Sequence, residues 1–331
     1  MFIGVDIGGT HMRSALVDNQ GKILLRRKAQ TDILSGARHV AERLILECRS
    51  LMQSADGLGG RVAAAGLGVA GKIDPREGRV LFSPNLASMK DYPLAQHVRE
   101  GLGIPVVMEN DANAFGIGEN LAGAGRGISN WIGLTLGTGV GGCLILENRL
   151  WSGDNLGFSG EIGHMIVRPD GPLCFCGLRG CLEAHSSGRA LREGVETAAA
   201  EGILTGGGLH EKWREGGLTP EFVYQCARQG DPIARGLFER MGWALGLALA
   251  NLFTALGIRH AIIGGGVSAS WDLFIDPLRK SLAKHSSMLD ANRMVVLKSE
   301  LGDDAAPLGA ASLAVQYSTE VDSYQRYENV T

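Results

Sequence analysis

One imidazole and three thiols crowd into a single stretch of this chain: His164, then Cys174, Cys176 and Cys181, punctuated by Gly163, Gly171, Pro172, Gly177 and Gly180. Such a set offers Zn2+ four soft or borderline ligands in tetrahedral geometry. With all positions filled by protein the metal is structural, since a catalytic zinc keeps one position open for water. The alternatives are a disulfide between two of the cysteines with the third thiol free, or merely three buried thiols. The reduced state of intracellular thiols and the Cys-x-Cys-x4-Cys spacing beside a histidine favour metal. Two carboxylates, Glu161 and Glu183, bracket the cluster. The stretch therefore reads as a metal-stapled loop that carries substrate ligands.

Phosphate chemistry is suggested elsewhere. Asp6-Ile7-Gly8-Gly9-Thr10 puts a carboxylate at a strand end beside a glycine turn and a hydroxyl. Such a turn can cradle phosphate through backbone N–H groups while the acid positions Mg2+ or its waters, although taken alone it is more readily a plain hairpin turn. Gly137-Thr138-Gly139-Val140-Gly141-Gly142 satisfies GxGxxG in form, but Cys143-Leu144-Ile145-Leu146 continues it as a strand where a dinucleotide fold needs a helix. A phosphate-binding hairpin fits better. Gly264-Gly265-Gly266 is a third glycine turn, whose bare backbone could accept a flat adenine or a ribose, and no GxxxxGK[ST] P-loop occurs. Asp111, in Glu109-Asn110-Asp111-Ala112-Asn113 after a strand, could take the proton of an attacking hydroxyl, the general-base role in phosphoryl transfer. Its plainer role would be to cap the following helix. The three phosphate-type turns favour the catalytic role.

Composition narrows the classes. The 331 residues suffice for two domains, and 45% apolar with 20% charged residues is the balance of a soluble globular protein. A net charge of -3 argues against a nucleic-acid surface. The 49 glycines follow no collagen-like period, so tight turns and close backbone approaches are expected. The start MFIGVDIGGT meets Asp6 at once and is no signal peptide. Met241 to Ile258 carries no charge, but its glycines and Asn251 fit a helix buried between layers better than a membrane span. A cytoplasmic protein without membrane or nucleic-acid partners is expected.

The elements that would position these groups follow from periodicity. Phe2 to Asp6, His11 to Val17 and Lys22 to Ala29 read as a β-meander, Ala37 to Ser54 as a helix and Ala63 to Val69 as a strand. A shift of 129 residues lays Ile132 to Gly137 over Ile3 to Gly8, an internal repeat that implies two related α/β lobes with a ligand cleft between them. Val106 to Met108 reads as a strand, with Ala112 to Leu121, Gly188 to Ala200 and Asp231 to Leu256 as helices and His260 to Ile263 as a strand. Gly202 to Gly217 is expected to be irregular, Leu308 to Tyr317 to be the last helix, and Ser318 to Thr331 to fray.

Together DIGGT, LGTGVGG, IIGGGVS, GEIGH and CFCGLRGCLE, which span nearly the whole chain, resemble the motifs of the ROK family (repressor, open reading frame, kinase) within the sugar kinase/hsp70/actin superfamily. The resemblance implies an α/β, two-lobed actin-like ATPase (ribonuclease H-like) fold with an internal repeat of a mixed sheet plus helices. A smaller lobe would take residues 1–110 and about 305–317, a larger one 111–304 with the zinc loop 164–181, and a polar tail 318–331. The implied activity is ATP-dependent phosphorylation of a hexose, usually at the C6 hydroxyl, with Mg2+ and a structural Zn2+. Asp111 would be the general base, and Asn85, Asn110, Glu161, His164 and Glu183 would hold sugar hydroxyls, His164 through the ring nitrogen not bound to zinc. Asp6, Gly8, Gly9, Thr10, Gly137, Thr138, Gly139, Gly264, Gly265 and Gly266 would serve ATP and Mg2+.

Leu182-Glu183-Ala184 and Ser187-Gly188 are most similar to the family's glucokinases, which makes glucose the first expectation; N-acetylmannosamine, N-acetylglucosamine, fructose and allose are the other candidate sugars. The pattern departs from the family at Phe175, at Ala70-Gly71-Lys72 and at His185-Ser186. The family also contains sugar-responsive repressors, whose helix-turn-helix would precede Asp6, and a sensor that has lost catalysis would keep the same fold. Homodimers or homotetramers are expected, acting in hexose metabolism at the entry to glycolysis.

Overall fold

A computed structural model describes residues 1–154, 159–288 and 290–328, with side chains to residue 319 apart from residue 291. The chain divides into two compact units: Met1–Ser129, Cys143–Gly160 and Ser299–Thr331 form the first, and Asn130–Gly142 with Glu161–Lys298 the second.

The first unit opens with the meander β1 (Phe2–Ile7), β2 (His11–Val17) and β3 (Ile23–Gln30), followed by α1 (Ala37–Gly57) and β4 (Ala64–Val69). A small hairpin, β5 (Lys72–Asp74) and β6 (Arg79–Phe82), precedes α2 (Leu94–Leu102), β7 (Val106–Asn110) and α3 (Asp111–Ala122). Its main sheet runs β3-β2-β1-β4-β7, antiparallel across the meander and parallel from β1 to β4 and β7. Both faces of β1 are covered, and the period of two decides which residues meet which layer. Ile3, Val5 and Ile7 join Val40, Leu44 and Leu51 of α1 in one cluster, while Phe2 packs with Leu308, Ala311 and Ala314 of the C-terminal helix. That helix lies close because β1 and β4 offer it glycine: a Cβ at Gly4 would stand 1.8 Å from the Pro307 carbonyl oxygen, and one at Gly66 1.8 Å from that of Ala310.

The second unit carries β8 (Trp131–Leu136) and the start of β9 (Val140–Leu146), which runs on to β10 (Arg149–Leu150). After the cysteine loop come α4 (Glu183–Ser186), α5 (Gly188–Ala200), α6 (Gly207–Glu215), α7 (Pro220–Arg228), α8 (Pro232–Leu256), β11 (His260–Gly264), α9 (Trp271–His285) and β12 (Val295–Lys298). The second main sheet, β10-β9-β8-β11-β12, repeats the plan of the first. β1 and β8, and likewise β2 and β9, start and end 129 residues apart. The middle of α8, Met241 to Ala250, is apolar all round and is buried or half-buried throughout. A Cβ at Gly242 or Gly246 would fall 2.4 Å or 2.3 Å from carbonyl oxygens of α9, so the two helices cross in near backbone contact. Among the described residues no helix is long and apolar enough to cross a membrane.

Three expectations are corrected. The stretch 202–217 is not wholly irregular: α6 forms within it around the buried Leu209, its helical signal hidden by the flanking glycines. The last helix, α10 (Ala305–Glu328), extends through the segment expected to fray, since 318–328 contains neither Gly nor Pro to stop it; residues 329–331 lie outside the described residues. Finally, α3 belongs with the first unit, although the expected boundary at residues 110 and 111 put it in the other lobe. Small residues explain this: a Cβ at Gly118 would lie 2.0 Å from the Ala305 carbonyl oxygen and one at Gly309 1.8 Å from that of Ala114, so α3 and α10 are locked together.

Candidate functional site

In the first unit the hairpin register sets Asp6 of β1 directly opposite Arg13 of β2. Arg13 donates from Nη1 to Asp6 Oδ2 at 3.3 Å, and its Nε lies 3.1 Å from Asp303 Oδ2. The Asp6 side chain is only 15% exposed. Burial, and then the negative charge of Asp111, raise its pKa to about 7, against the opposing pull of Arg13. Asp6 and Asp111 together offer carboxylate oxygens, and at Asp6 burial and the Asp111 charge outweigh the pull of Arg13. A divalent cation such as Mg2+ fits that donor set. Gly9 of the turn is pressed against Asn85, whose carbonyl oxygen would be 2.8 Å from a Cβ there, and Thr10 is exposed. Asn85 is thereby placed beside the first glycine turn.

The cap of α3 is Asn110. Its Oδ1 accepts from the N–H groups of Ala112 at 2.9 Å and Asn113 at 3.1 Å, while Nδ2 donates to the Gly71 carbonyl at 2.9 Å. Capping is therefore not the task of Asp111, although Asp111 Oδ1 also accepts from Ala112 N–H at 3.0 Å. Asn110 keeps the second hydrogen of its amide for another acceptor. Neighbouring Glu109 accepts from Asn110 N–H and Asn113 Nδ2 at 2.8 and 3.0 Å, and burial holds its pKa above the usual carboxylate range.

In the second unit the ligand atoms of His164, Cys174, Cys176 and Cys181 all lie within 4.8 Å of one another. Cys176 and Cys181 are 3.6 Å apart through sulfur, and Cys174 Sγ lies 3.7 Å from His164 Nδ1. A tetrahedron with Zn–S bonds of about 2.3 Å has edges of about 3.8 Å, which these two separations match, and the Cys3His donor set fits zinc. The loop is shaped by a turn in which Cys174 N–H meets the Leu178 carbonyl at 2.7 Å and Gly177 N–H the Cys174 carbonyl at 3.0 Å. Burial pushes the Cys174 thiol up to about 12, a preference for the protonated form that metal binding must overcome by displacing the proton.

His164 turns Nδ1 to the cysteines and Nε2 to Glu161, whose Oε2 is 3.9 Å away, and both side chains are partly exposed. A metal on Nδ1 would leave the ring proton on Nε2, as a donor facing outward. Glu183 opens α4 and faces two ways: Oε2 accepts the Val140 N–H at 2.9 Å, and Oε1 lies 3.7 Å from Cys174 Sγ. In the hairpin before β9, Gly137 N–H meets the Gly139 carbonyl at 3.0 Å, and a Cβ on Gly137 would touch nothing within 4 Å. Thr138 is exposed at its tip. Gly265 has φ +84, and a Cβ on it would stand 2.4 Å from the Leu136 carbonyl oxygen, so only glycine lets this turn close on β8; Gly264 ends β11 and Gly266 faces open space.

Sequence reasoning missed Arg13, Asp303 and the contact between Glu183 and Val140. Arg13 was within reach, because a hairpin through the glycine turn places it opposite Asp6. Asp303 carries no local signal, since only the tertiary fold brings it to Arg13.

The ROK family model matches residues 2–317. The chain is 36% identical over 315 residues to a glucokinase of Thermotoga maritima, covering 94% of this chain and 96% of the relative. It is 37% identical over 322 residues to a glucokinase of Streptomyces coelicolor, with 94% and 96% covered. A crystal structure of a ROK family glucokinase from Streptomyces griseus, in complex with glucose and AMPPNP, superposes with a TM-score of 0.79 at 38% identity, covering 95% of this chain and 99% of that one.

Proposed function

We propose, from the premise that the chain belongs to the ROK family, that this sugar kinase transfers the γ-phosphoryl group of ATP to a hexose at its C6 hydroxyl, with glucose the preferred acceptor. The observation that carries the catalytic part is the division of labour at the start of α3: Asn110 caps the helix, so the adjacent carboxylate of Asp111 is not required for that task. Asp111 would accept the proton of the sugar hydroxyl as its oxygen attacks the γ-phosphorus and the bond to the β-phosphate oxygen breaks. Asp6 would hold Mg2+ directly or through its waters. When bound, Mg2+ neutralises charge on the phosphoryl oxygens.

Glu161 and Glu183 would accept hydrogen bonds from sugar hydroxyls, the Nε2–H of His164 and the remaining amide hydrogen of Asn110 would donate to them, and Asn85 would complete the set. The amides around Gly8, Gly9 and Thr10 and around Gly137, Thr138 and Gly139 would cradle phosphates, and Gly264 to Gly266 would face the nucleoside. Zinc held by His164, Cys174, Cys176 and Cys181 would fix the aim of His164, with no chemical step assigned to the metal. Within the same proposal the chain works as a homodimer or homotetramer in the cytoplasm. The test is a coupled assay of ADP release across glucose, mannose, fructose, allose and the N-acetylated hexosamines. Glucose should give the highest kcat/KM; ATP-dependent turnover of another sugar alone would move the substrate, and turnover of none would leave a sugar sensor.

A further inference from the structure

We infer that the phosphate hairpin at residues 137–140 is fastened to the cysteine loop at Val140, so that zinc in the loop and nucleotide on the hairpin strengthen each other's binding. The inference rests on the kinase proposal, because it takes the hairpin to be the nucleotide's.

Val140 is gripped from two sides. Its N–H donates to Glu183 Oε2 at 2.9 Å, and Glu183 follows Cys181 by two residues and brings Oε1 to 3.7 Å from Cys174 Sγ. Its carbonyl oxygen lies against Gly163, where a Cβ would come within 2.1 Å, and Gly163 immediately precedes His164. The contacts that hold Val140 thus come from residues next to, or in contact with, ligands at both ends of the metal loop. A Cβ at Gly139 would lie 2.3 Å from the same Glu183 oxygen, so the carboxylate lies flush against the hairpin backbone.

The opposite limb is held as well. At the start of α5 the Gly188 N–H donates to the Gly137 carbonyl at 2.8 Å and the Arg189 N–H to that of Thr138 at 3.4 Å. The Arg189 guanidinium lies 4.8 Å over the ring of Phe175, the residue between Cys174 and Cys176. Carbonyls of the hairpin are thus turned toward α5, while Gly137 faces open space. If the loop loses its metal, both grips on Val140 lose their anchors, and a nucleotide must then order the hairpin as it binds. The coupling is thermodynamically reciprocal: whatever factor zinc adds to nucleotide affinity, nucleotide adds to zinc affinity.

The experiment uses the zinc-loaded enzyme without sugar. AMPPNP with Mg2+ is titrated calorimetrically into the wild type, Glu183→Ala, Glu183→Gln and Gly163→Ala, each with its zinc content measured, and zinc transfer to a chromogenic chelator is followed to equilibrium with and without saturating AMPPNP. In the wild type, AMPPNP should shift the equilibrium partition of zinc between protein and chelator toward the protein by at least about fivefold, the low end of ordinary coupling. Glu183→Ala and Gly163→Ala should bind AMPPNP weaker by a similar factor and lose the protection. Glu183→Gln, which keeps an oxygen for the Val140 N–H, should retain most of it. Nucleotide affinity unaltered in both Glu183→Ala and Gly163→Ala, with zinc partition indifferent to AMPPNP, overturns the coupling alone. Failure of the wild type to bind AMPPNP at all overturns the kinase proposal and this inference with it.

Discussion

Replacing Asp111 by Asn separates the chemical role of the carboxylate from its structural surroundings. Asn is isosteric, its Oδ1 can still accept the Ala112 N–H that Asp111 holds at 3.0 Å, and the cap on Asn110 is untouched. Stability should therefore stay within about 1 kcal/mol of the wild type. The change also removes a negative charge from beside Asp6. That charge is the second cause, after burial, of the rise of Asp6 to about 7, so the Asp6 pKa should fall. A carboxylate whose pKa is raised on folding loses stability as pH climbs from its unfolded value, near 3.8, to its folded one. Without Mg2+, the destabilising contribution of Asp6 at pH 8 should accordingly be smaller in Asp111→Asn than in the wild type. Turnover should nonetheless collapse. General-base catalysis contributes about 100- to 10,000-fold, or about 3–5 kcal/mol of barrier. The measurements are kcat by coupled ADP release, glucose affinity by calorimetry and melting by circular dichroism. A fall of that size in kcat with near-normal glucose binding is expected; turnover within about tenfold of the wild type would refute the base assignment.

Freshly purified protein should hold one zinc per chain, and Cys176→Ser should lose it together with sugar affinity; elemental analysis finding no zinc in the wild type would remove the metal from the account. Glu119 is fully buried and its carboxylate accepts from Ser299 Oγ, Ala124 N–H at 2.8 Å and Leu301 N–H at 3.0 Å. Glu119→Ala strands these donors at about 1–3 kcal/mol each and should cost at least about 3 kcal/mol in urea unfolding. His185 is 4% exposed, neither ring nitrogen has a hydrogen-bond partner among the described residues, and burial lowers its pKa to about 4. Below the unfolded value of 6.5 the unfolded chain takes the proton first, so this residue's contribution shrinks as pH falls from 6.5 toward 4, by up to about 1.4 kcal/mol per unit. His185→Gln should flatten the acid slope of unfolding free energy; an identical slope would place the acid sensitivity elsewhere.

The repeat was legible because both hairpins obey the same local rules: apolar alternation, a glycine turn and a return strand, with coincident strand limits 129 residues apart. α8 could be read from its length and apolarity, whereas α6 was hidden by glycines and the end of α10 lacked a stop signal. At the candidate site, residue types were legible and the tasks of neighbours were not. Asn110 and Asp111 are both good caps in isolation, and only the geometry of β7 and Gly71 shows that Asn110 takes the role. Glu183 is legible in the sequence as a carboxylate bracketing the loop and a sugar ligand, but its bond to the Val140 N–H is not, because Val140 lies far away in sequence.

The same separation explains why the charge at Asp6 depends on the end of the chain. Arg13 contacts both Asp6 and Asp303, and the Asp303 charge adds the last and smallest upward push on the Asp6 pKa. The position of Asp303 is set from both sides. Glu119 of α3 gathers donors from 299–301, and Asp304 takes Arg26 of β3 in a fork with bonds of 2.8, 3.0 and 2.8 Å. The exposed fork contributes under about 1 kcal/mol to stability, yet the two of its three bonds that run parallel, Nε to Oδ1 and Nη2 to Oδ2, fix direction. α3 thus presents Asp111 at its first turn while, through Glu119 nearer its other end, it steadies the loop that tunes Asp6. One helix thereby sets both members of the acid pair, the proposed base by position and the proposed Mg2+ ligand by charge.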